Sequence, residues 1–181
     1  AGALPFGAAS SFDGVDDNVT SDQPSSVGQS YSVETWFRTT TTSGGKIVGF
    51  GNAREGSSGN YDKHLYMTNS GQLIFGVWNN GPDTVRSAAG LNDGQWHHVV
   101  ATQGADGMKL YVDDNLVDTN GATTNQPYAG YWRLGGDNLG GWPDGPNSFW
   151  FQGSIDDTAI YDSVLSAARV EGLSPETRPD T

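Results

Sequence analysis

The residue type in this chain best suited to doing chemistry is aspartate: 17 of its 21 acidic residues are Asp and only four are Glu. Asp concentrates in turns, where its short carboxylate bonds nearby backbone or ligates hard cations. The bias therefore points to loops and to calcium. Glycoside hydrolysis needs two carboxyl groups flanking one bond, and the glutamates are poorly placed for it. Glu34 alone falls in a strand-like run, Glu55 lies in the loop at 54–60, and Glu171 and Glu176 lie near the C-terminus. No G-x-S-x-G elbow, EF-hand spacing or zinc motif occurs. The absence of cysteine removes disulfides, thiolate metal sites and cysteine nucleophiles. His97 and His98 are neighbours, so on a strand they face opposite ways and cannot chelate one ion together. His64, near Tyr61 and Tyr66, is the arrangement that could give a lyase its base; the plainer reading is a loop running into an alternating strand.

The second chemistry is recognition of sugars, whose apolar C–H faces and hydroxyl edges call for an exposed aromatic beside Asp, Asn, Gln or Arg. Between Tyr128 and Trp150, aromatics alternate with glycines, acids and an amide. Trp142, between Gly141 and Pro143, does not follow strand periodicity. It reads either as a surface platform or as a plug at the rim of the fold. Trp78 precedes the polar turn Asn79-Asn80-Gly81-Pro82-Asp83 and could line the same face. Asp137, Asn138, Asp144, Arg133 and Asn79 are then the groups expected to read hydroxyls, whereas Trp36, Phe37 and Trp96 are assigned to packing.

These groups must be positioned by strands. With 26 Gly, many Thr and Ser, and no long run of helical period, the chain reads as all-β. Candidate strands cover 10–12, 18–20, 31–39, 46–51, 63–68, 72–78, 85–88, 96–103, 108–112, 115–119, 131–134 and 151–161. Asp113, Asp114 and Asn115 between two β-rich runs predict a tight hairpin. A short helical turn is expected at 166–171, capped by Ser166, with Leu165 and Val170 facing inward. Twelve strands are too many for one half-buried sheet, so two sheets packed face to face are expected.

At 181 residues the chain suits one domain. Its formal net charge of −12 disfavours nucleic acid and anionic membranes, and no stretch approaches the roughly 20 apolar residues of a membrane span. The small-residue start at 1–9 lacks a charged n-region and a long apolar core, so it reads as a mature or excised terminus. The stretch 174–181 reads as a tail or linker, implying a longer parent protein.

Several segments, in order, resemble one known family. They are Phe12-Asp13-Gly14-Val15-Asp16-Asp17; Tyr31-Ser32-Val33-Glu34-Thr35-Trp36-Phe37; Asp93-Gly94-Gln95-Trp96-His97-His98-Val99-Val100 followed by Leu110-Tyr111-Val112-Asp113-Asp114; and Gly153-Ser154-Ile155-Asp156-Asp157-Thr158-Ala159-Ile160-Tyr161 with Leu165-Ser166. Together they resemble the laminin-G-like jelly roll, a concanavalin A-like lectin/glucanase domain, of bacterial and specifically actinobacterial type. Asp114 departs from the family's hairpin Gly, and Asp157 and Thr158 from its usual Glu and Val.

The resemblance implies an antiparallel two-sheet β-sandwich over 1–173. It also implies a calcium ion held between the opening turn and the last long strand, with Asp156, Asp13, Gly14 and Asp16 as ligands. Without an ion, Asp13, Asp16 and Asp17 would cap turns and Asp156 would accept backbone hydrogen bonds. The function expected is a non-catalytic carbohydrate-binding module, monomeric and secreted, in a larger extracellular polysaccharide-processing protein that takes a polysaccharide or oligosaccharide. The alternatives are a protein-interaction or adhesion module, a structural accessory domain and, further off, a lyase or glycoside hydrolase.

Overall fold

The computed structural model describes residues 9–173, so the expectations for the first residues and for the 174–181 tail lie outside the described residues. Within them the chain forms thirteen strands and one short helix. The strands are β1 (Ser10–Asp13), β2 (Val19–Thr20), β3 (Ser25–Ser26), β4 (Tyr31–Arg38), β5 (Gly45–Gly51), β6 (Tyr61–Met67), β7 (Leu73–Trp78), β8 (Pro82–Arg86), β9 (Trp96–Gly104), β10 (Gly107–Val112), β11 (Asn115–Asn120), β12 (Ala129–Leu134) and β13 (Gln152–Tyr161); the helix is α1 (Ala167–Glu171). β3 has no sequence signature, being two exposed serines beside β12. β8 starts three residues earlier than expected, at Pro82, a residue tolerated at an edge because it donates nothing to the ladder.

The fold is the expected jelly-roll sandwich. One sheet runs β1-β13-β4-β9-β10-β11, and the other runs β2-β12-β5-β6-β7-β8, with β3 also pairing β12. Inward-facing Tyr31, Val33, Phe37, Val99, Ala101, Leu110 and Ile155 of the first sheet meet Ile47, Val48, Leu65, Met67, Leu73, Phe75 and Val77 of the second. The predicted hairpin is present: Val112 pairs Asn115 across Asp113 and Asp114, both at positive φ (48° and 67°), as a two-residue turn of the mirror-image kind requires. Ser166 caps α1, its Oγ accepting from the Arg169 N–H at 3.3 Å. Val170 is buried against Val100 and Tyr111, so the helix seals the outer face of the first sheet.

That face also carries a buried polar chain. Glu34 Oε1 lies 3.0 Å from His98 Nε2, Glu34 Oε2 accepts from the Tyr161 hydroxyl at 2.6 Å, and the Trp36 ring stacks on the His98 ring at 4.8 Å. His97 faces the other way, with Nδ1 2.8 Å from Asp113 Oδ2. Both histidines are thus held by carboxylates, and the strand glutamate is engaged within the fold.

Removing one member of a buried charged network leaves its partners unpaired, which costs about 3 kcal/mol. Glu34→Ala is expected to lower the melting temperature by roughly 6–12 °C for a domain of this size. An unchanged melting curve would show that the chain of polar groups contributes nothing.

Candidate functional site

The outer face of the second sheet is built around missing side chains. Across its strands a lateral row reads Arg133 (β12), Gly49 (β5), then His64, Gly76 and Thr84 on β6, β7 and β8. A Cβ at Gly49 would lie 2.5 Å from His64 Cβ and 3.0 Å from Lys46 Cδ, and one at Gly76 would lie 2.4 Å from the Trp142 ring. The two glycines thus form a floor. Lys46 and His64 lie over one end and Trp142 over the other.

The segment 135–146 closes over this floor as a roof. Trp142 and Leu139 pack with Tyr66 and Ile74, and the Trp142 ring sits 4.1 Å from the His64 ring, edge to face. Tyr61 donates to the Gly140 carbonyl at 2.9 Å and Tyr66 to the Pro143 carbonyl at 2.6 Å. Asp137 Oδ1 accepts from Ser58 N–H at 3.0 Å and Asn138 N–H at 2.7 Å, while Asn138 Nδ2 donates to Ser58 O at 3.0 Å. Arg133 Nη1 donates to Gly56 O at 2.7 Å and lies 3.4 Å from Asp137 Oδ1. The roof is thereby tied to both the sheet and the 52–60 loop.

Beneath it several buried polar atoms have no hydrogen-bond partner: Lys46 Nζ, both ring nitrogens of His64, Arg133 Nε and Asp137 Oδ2. Burial pushes the Lys46 ammonium down to about 7, against the pull of Asp137. It drives His64 well below its ordinary value too, helped by the charges of Lys46 and Lys63. The Tyr66 hydroxyl is raised by burial. A base formed by His64 with Tyr61 and Tyr66 would therefore sit under the roof, with both hydroxyls engaged by backbone carbonyls.

Of the residues expected to read a sugar, Trp142, Asp137, Asn138 and Arg133 converge here. Their roles differ from the expectation. Trp142 is only 6% exposed, so it is the plug rather than the platform, because Gly76 leaves room for its ring. Arg133 and Asp137 are likewise buried and hold the roof. Trp78 is 38% exposed and touches Trp142 edge to face at 6.0 Å, so of these two indoles it is the one that faces solvent, with Asn79 and Asn80 exposed beside it. Asp144 lies at the rim, 2.8 Å from Arg86. Lys46 was not foreseen; an isolated Lys at the start of an apolar run gives no sign of burial.

The opening turn brings Asp13, Asp16 and Asp17 together, each offering an oxygen within 4.8 Å of the others. Asp13 Oδ1 accepts from Val15 N–H at 2.8 Å, Asp17 Oδ2 accepts from Asp13 N–H at 2.9 Å, and Gly14 makes the turn at φ 82°. Asp156 does not join them. Asp13 pairs Gln152, and Asp156 is four positions further along β13, about 13 Å away. Strand register, invisible in the sequence, separates the two halves of the expected ligand set.

The sequence profile of the Laminin_G_3 family, described as the concanavalin A-like lectin/glucanases superfamily, matches residues 13–171. No curated protein matches the chain by sequence. Among solved structures, a heptameric SAP-like pentraxin from Limulus polyphemus superposes with a TM-score of 0.67 at 18% identity, covering 93% of this chain and 82% of that one. The CBM40 module of the Ruminococcus gnavus IT-sialidase, solved with α2,3-sialyllactose, gives 0.60 at 22% identity, covering 82% and 84%. Domains LG4-5 of the mouse laminin α1 chain give 0.60 at 20% identity, covering 84% and 40%. At these identities the likeness is one of fold.

Lys46 also predicts a pH dependence. Its value falls from 10.5 unfolded to about 7 folded, so between those limits the unfolded chain binds more protons and the stability tied to this group rises with pH. Lys46→Met should therefore melt above the parent protein at pH 7, and the gap should narrow by pH 9. A gap independent of pH would contradict the burial of this ammonium.

Proposed function

The chain belongs to the Laminin_G_3 family of concanavalin A-like lectins and glucanases, and from that premise we propose that it is a non-catalytic carbohydrate-binding module. The observation that carries this reading is Trp78, an exposed indole at a strand end, backed by the buried Trp142 and flanked by the exposed amides of Asn79 and Asn80. A ring offered to solvent at a strand end can stack on a sugar's C–H face, and the amides meet its hydroxyls. The solved CBM40 module with sialyllactose supports a glycan-binding use of this fold, although fold alone does not fix function. The engagement of Glu34 by His98 and Tyr161 also favours binding over hydrolysis.

The parent in this reading is a larger extracellular polysaccharide-processing protein, and calcium stabilises the domain at the opening turn. Asp13, Asp16 and Asp17, with the Gly14 carbonyl, form the donor set: hard oxygens on a glycine-containing turn suit calcium's irregular coordination. Binding there would tie the first strand's end to the turn. Asp156 lies outside this set.

Two measurements test the reading. Titration against soluble polysaccharides and oligosaccharides should find a ligand whose affinity falls about tenfold in Trp78→Ala, with the melting temperature unchanged. Full affinity in that variant would move the site elsewhere. Calcium at a hundredfold excess over its dissociation constant should stabilise the domain by about 2.7 kcal/mol. Asp17→Asn should remove most of that gain, and a melting curve indifferent to calcium would remove the metal from the proposal.

A further inference from the structure

Three of the chain's nine basic residues, Lys46, Lys63 and Arg133, are buried on the adjacent strands β5, β6 and β12. Two of the three are accounted for. Lys63 Nζ lies 2.9 Å from Asp62 Oδ1, donates to Gln126 O at 2.8 Å and faces the Tyr128 ring. Arg133 has Asp137 and two loop carbonyls. Lys46 Nζ has no hydrogen-bond partner and lies over the face of Tyr61 at 5.6 Å.

With Asp62 set against Lys63 and Asp137 against Arg133, an ammonium at Lys46 has no counter-charge of its own, and burial accordingly pushes it down to about 7. The unpaired donors are also in surplus. When protonated, Lys46 brings three N–H groups, Arg133 Nε one and a neutral His64 one, against two acceptors, Asp137 Oδ2 and the second His64 nitrogen. The complement of such a cluster is a singly charged, acceptor-only group, and a carboxylate is one.

An unpaired buried ammonium is costly, and an apolar side chain of similar length would fill the space more cheaply. Groups kept against stability belong to function more often than to structure. The cluster's place gives that function. Trp142, whose ring covers His64, also touches the exposed Trp78, so the buried charge lies one indole behind the platform. The roof between them includes exposed Gly140 and Gly141, the latter at φ 79°, and is held there by the Tyr61 and Tyr66 hydroxyls.

We propose that Lys46, with His64 and Arg133 beside it, is the acid-reading subsite of the glycan site. The ligand is then a carboxylated sugar, whose ring stacks on Trp78 and whose carboxylate reaches Lys46 when Trp142 and the glycines of the roof move aside. This inference rests on the carbohydrate reading above and narrows it to one class of ligand.

Matched ligand pairs test it: a glucuronate-terminated oligosaccharide and its carboxyl-reduced counterpart, and sialyllactose and lactose, each titrated by calorimetry against the whole chain at fixed calcium and ionic strength. A sulfated but uncarboxylated oligosaccharide is the control. The acidic member of at least one pair should bind about tenfold more tightly than its neutral partner. Lys46→Met should erase that preference while melting no lower than the parent, and Lys46→Gln is the second neutral variant should methionine not fold. Equal binding within both pairs, an acid preference that survives in the Lys46 variants, or preference for the sulfated control would each overturn the subsite and leave the glycan reading standing. Binding of none of these ligands, nor of any polysaccharide in the wider titration, would overturn both.

Discussion

The seating of the Trp142 ring on Gly76, edge-on to His64, is the contact on which the organisation of the second sheet's outer face depends. A sandwich buries one face of each sheet and leaves the other to be covered or solvated. Here the indole needs the volume that a Cβ at Gly76 would occupy. Once it is seated, Leu139 and Tyr66 close around it, and Arg133, Asp137, Asn138 and Ser58 lace the roof to the neighbouring loop. The same closure buries Lys46 and His64 and leaves Trp78 standing at the edge.

The two outer faces differ in how much of their buried polarity is paired. On the first sheet, Glu34 engages His98 Nε2 and the Tyr161 hydroxyl beside a stacked tryptophan, leaving His98 Nδ1 without a hydrogen-bond partner. Such a network in a low-dielectric setting fixes side-chain geometry and favours one arrangement. On the second sheet, Lys46, His64 and Asp137 Oδ2 are enclosed with donors and acceptors unpaired. The exposed Trp78 lies on the second.

Much of the fold was legible in the chain because it rests on short-range rules. The strand alternation of 31–39 and 96–103 reports a buried face, and the Asp113-Asp114 pair is a turn that tolerates positive φ. Ser166 before a short apolar stripe reads as a cap. What failed did so for identifiable reasons. The serines of β3 carry no pattern because their pairing to β12 is all that makes them a strand. Trp142 reads equally well as platform or plug, since the deciding feature is a glycine 66 positions earlier in the chain. Asp156 and Asp13 both sit on strands that pair, yet the register Asp13↔Gln152 keeps them apart.

The sequence by itself determined that this is a two-sheet β-sandwich of the concanavalin A-like kind, acidic and rich in Asp turns, with aromatics gathered in its later loops. The sandwich, its acidity and its turns follow from local periodicity, turn chemistry and composition, each readable within a few residues, and the concanavalin A-like kind from the ordered segments that resemble that family. Which aromatic faces solvent, which carboxylates meet at the opening turn, and that Lys46 is buried beside His64 were decided only by the tertiary structure. The physical reason is visible in β5. Its register against β6 shifts between Lys46 and Val48 and again between Val48 and Phe50, and such irregularities break the simple two-residue alternation of faces. Alternation alone would put Lys46, Val48 and Phe50 on one face. The strand instead packs Val48 into the core and turns Lys46 outward beneath a roof drawn from residues almost a hundred positions later.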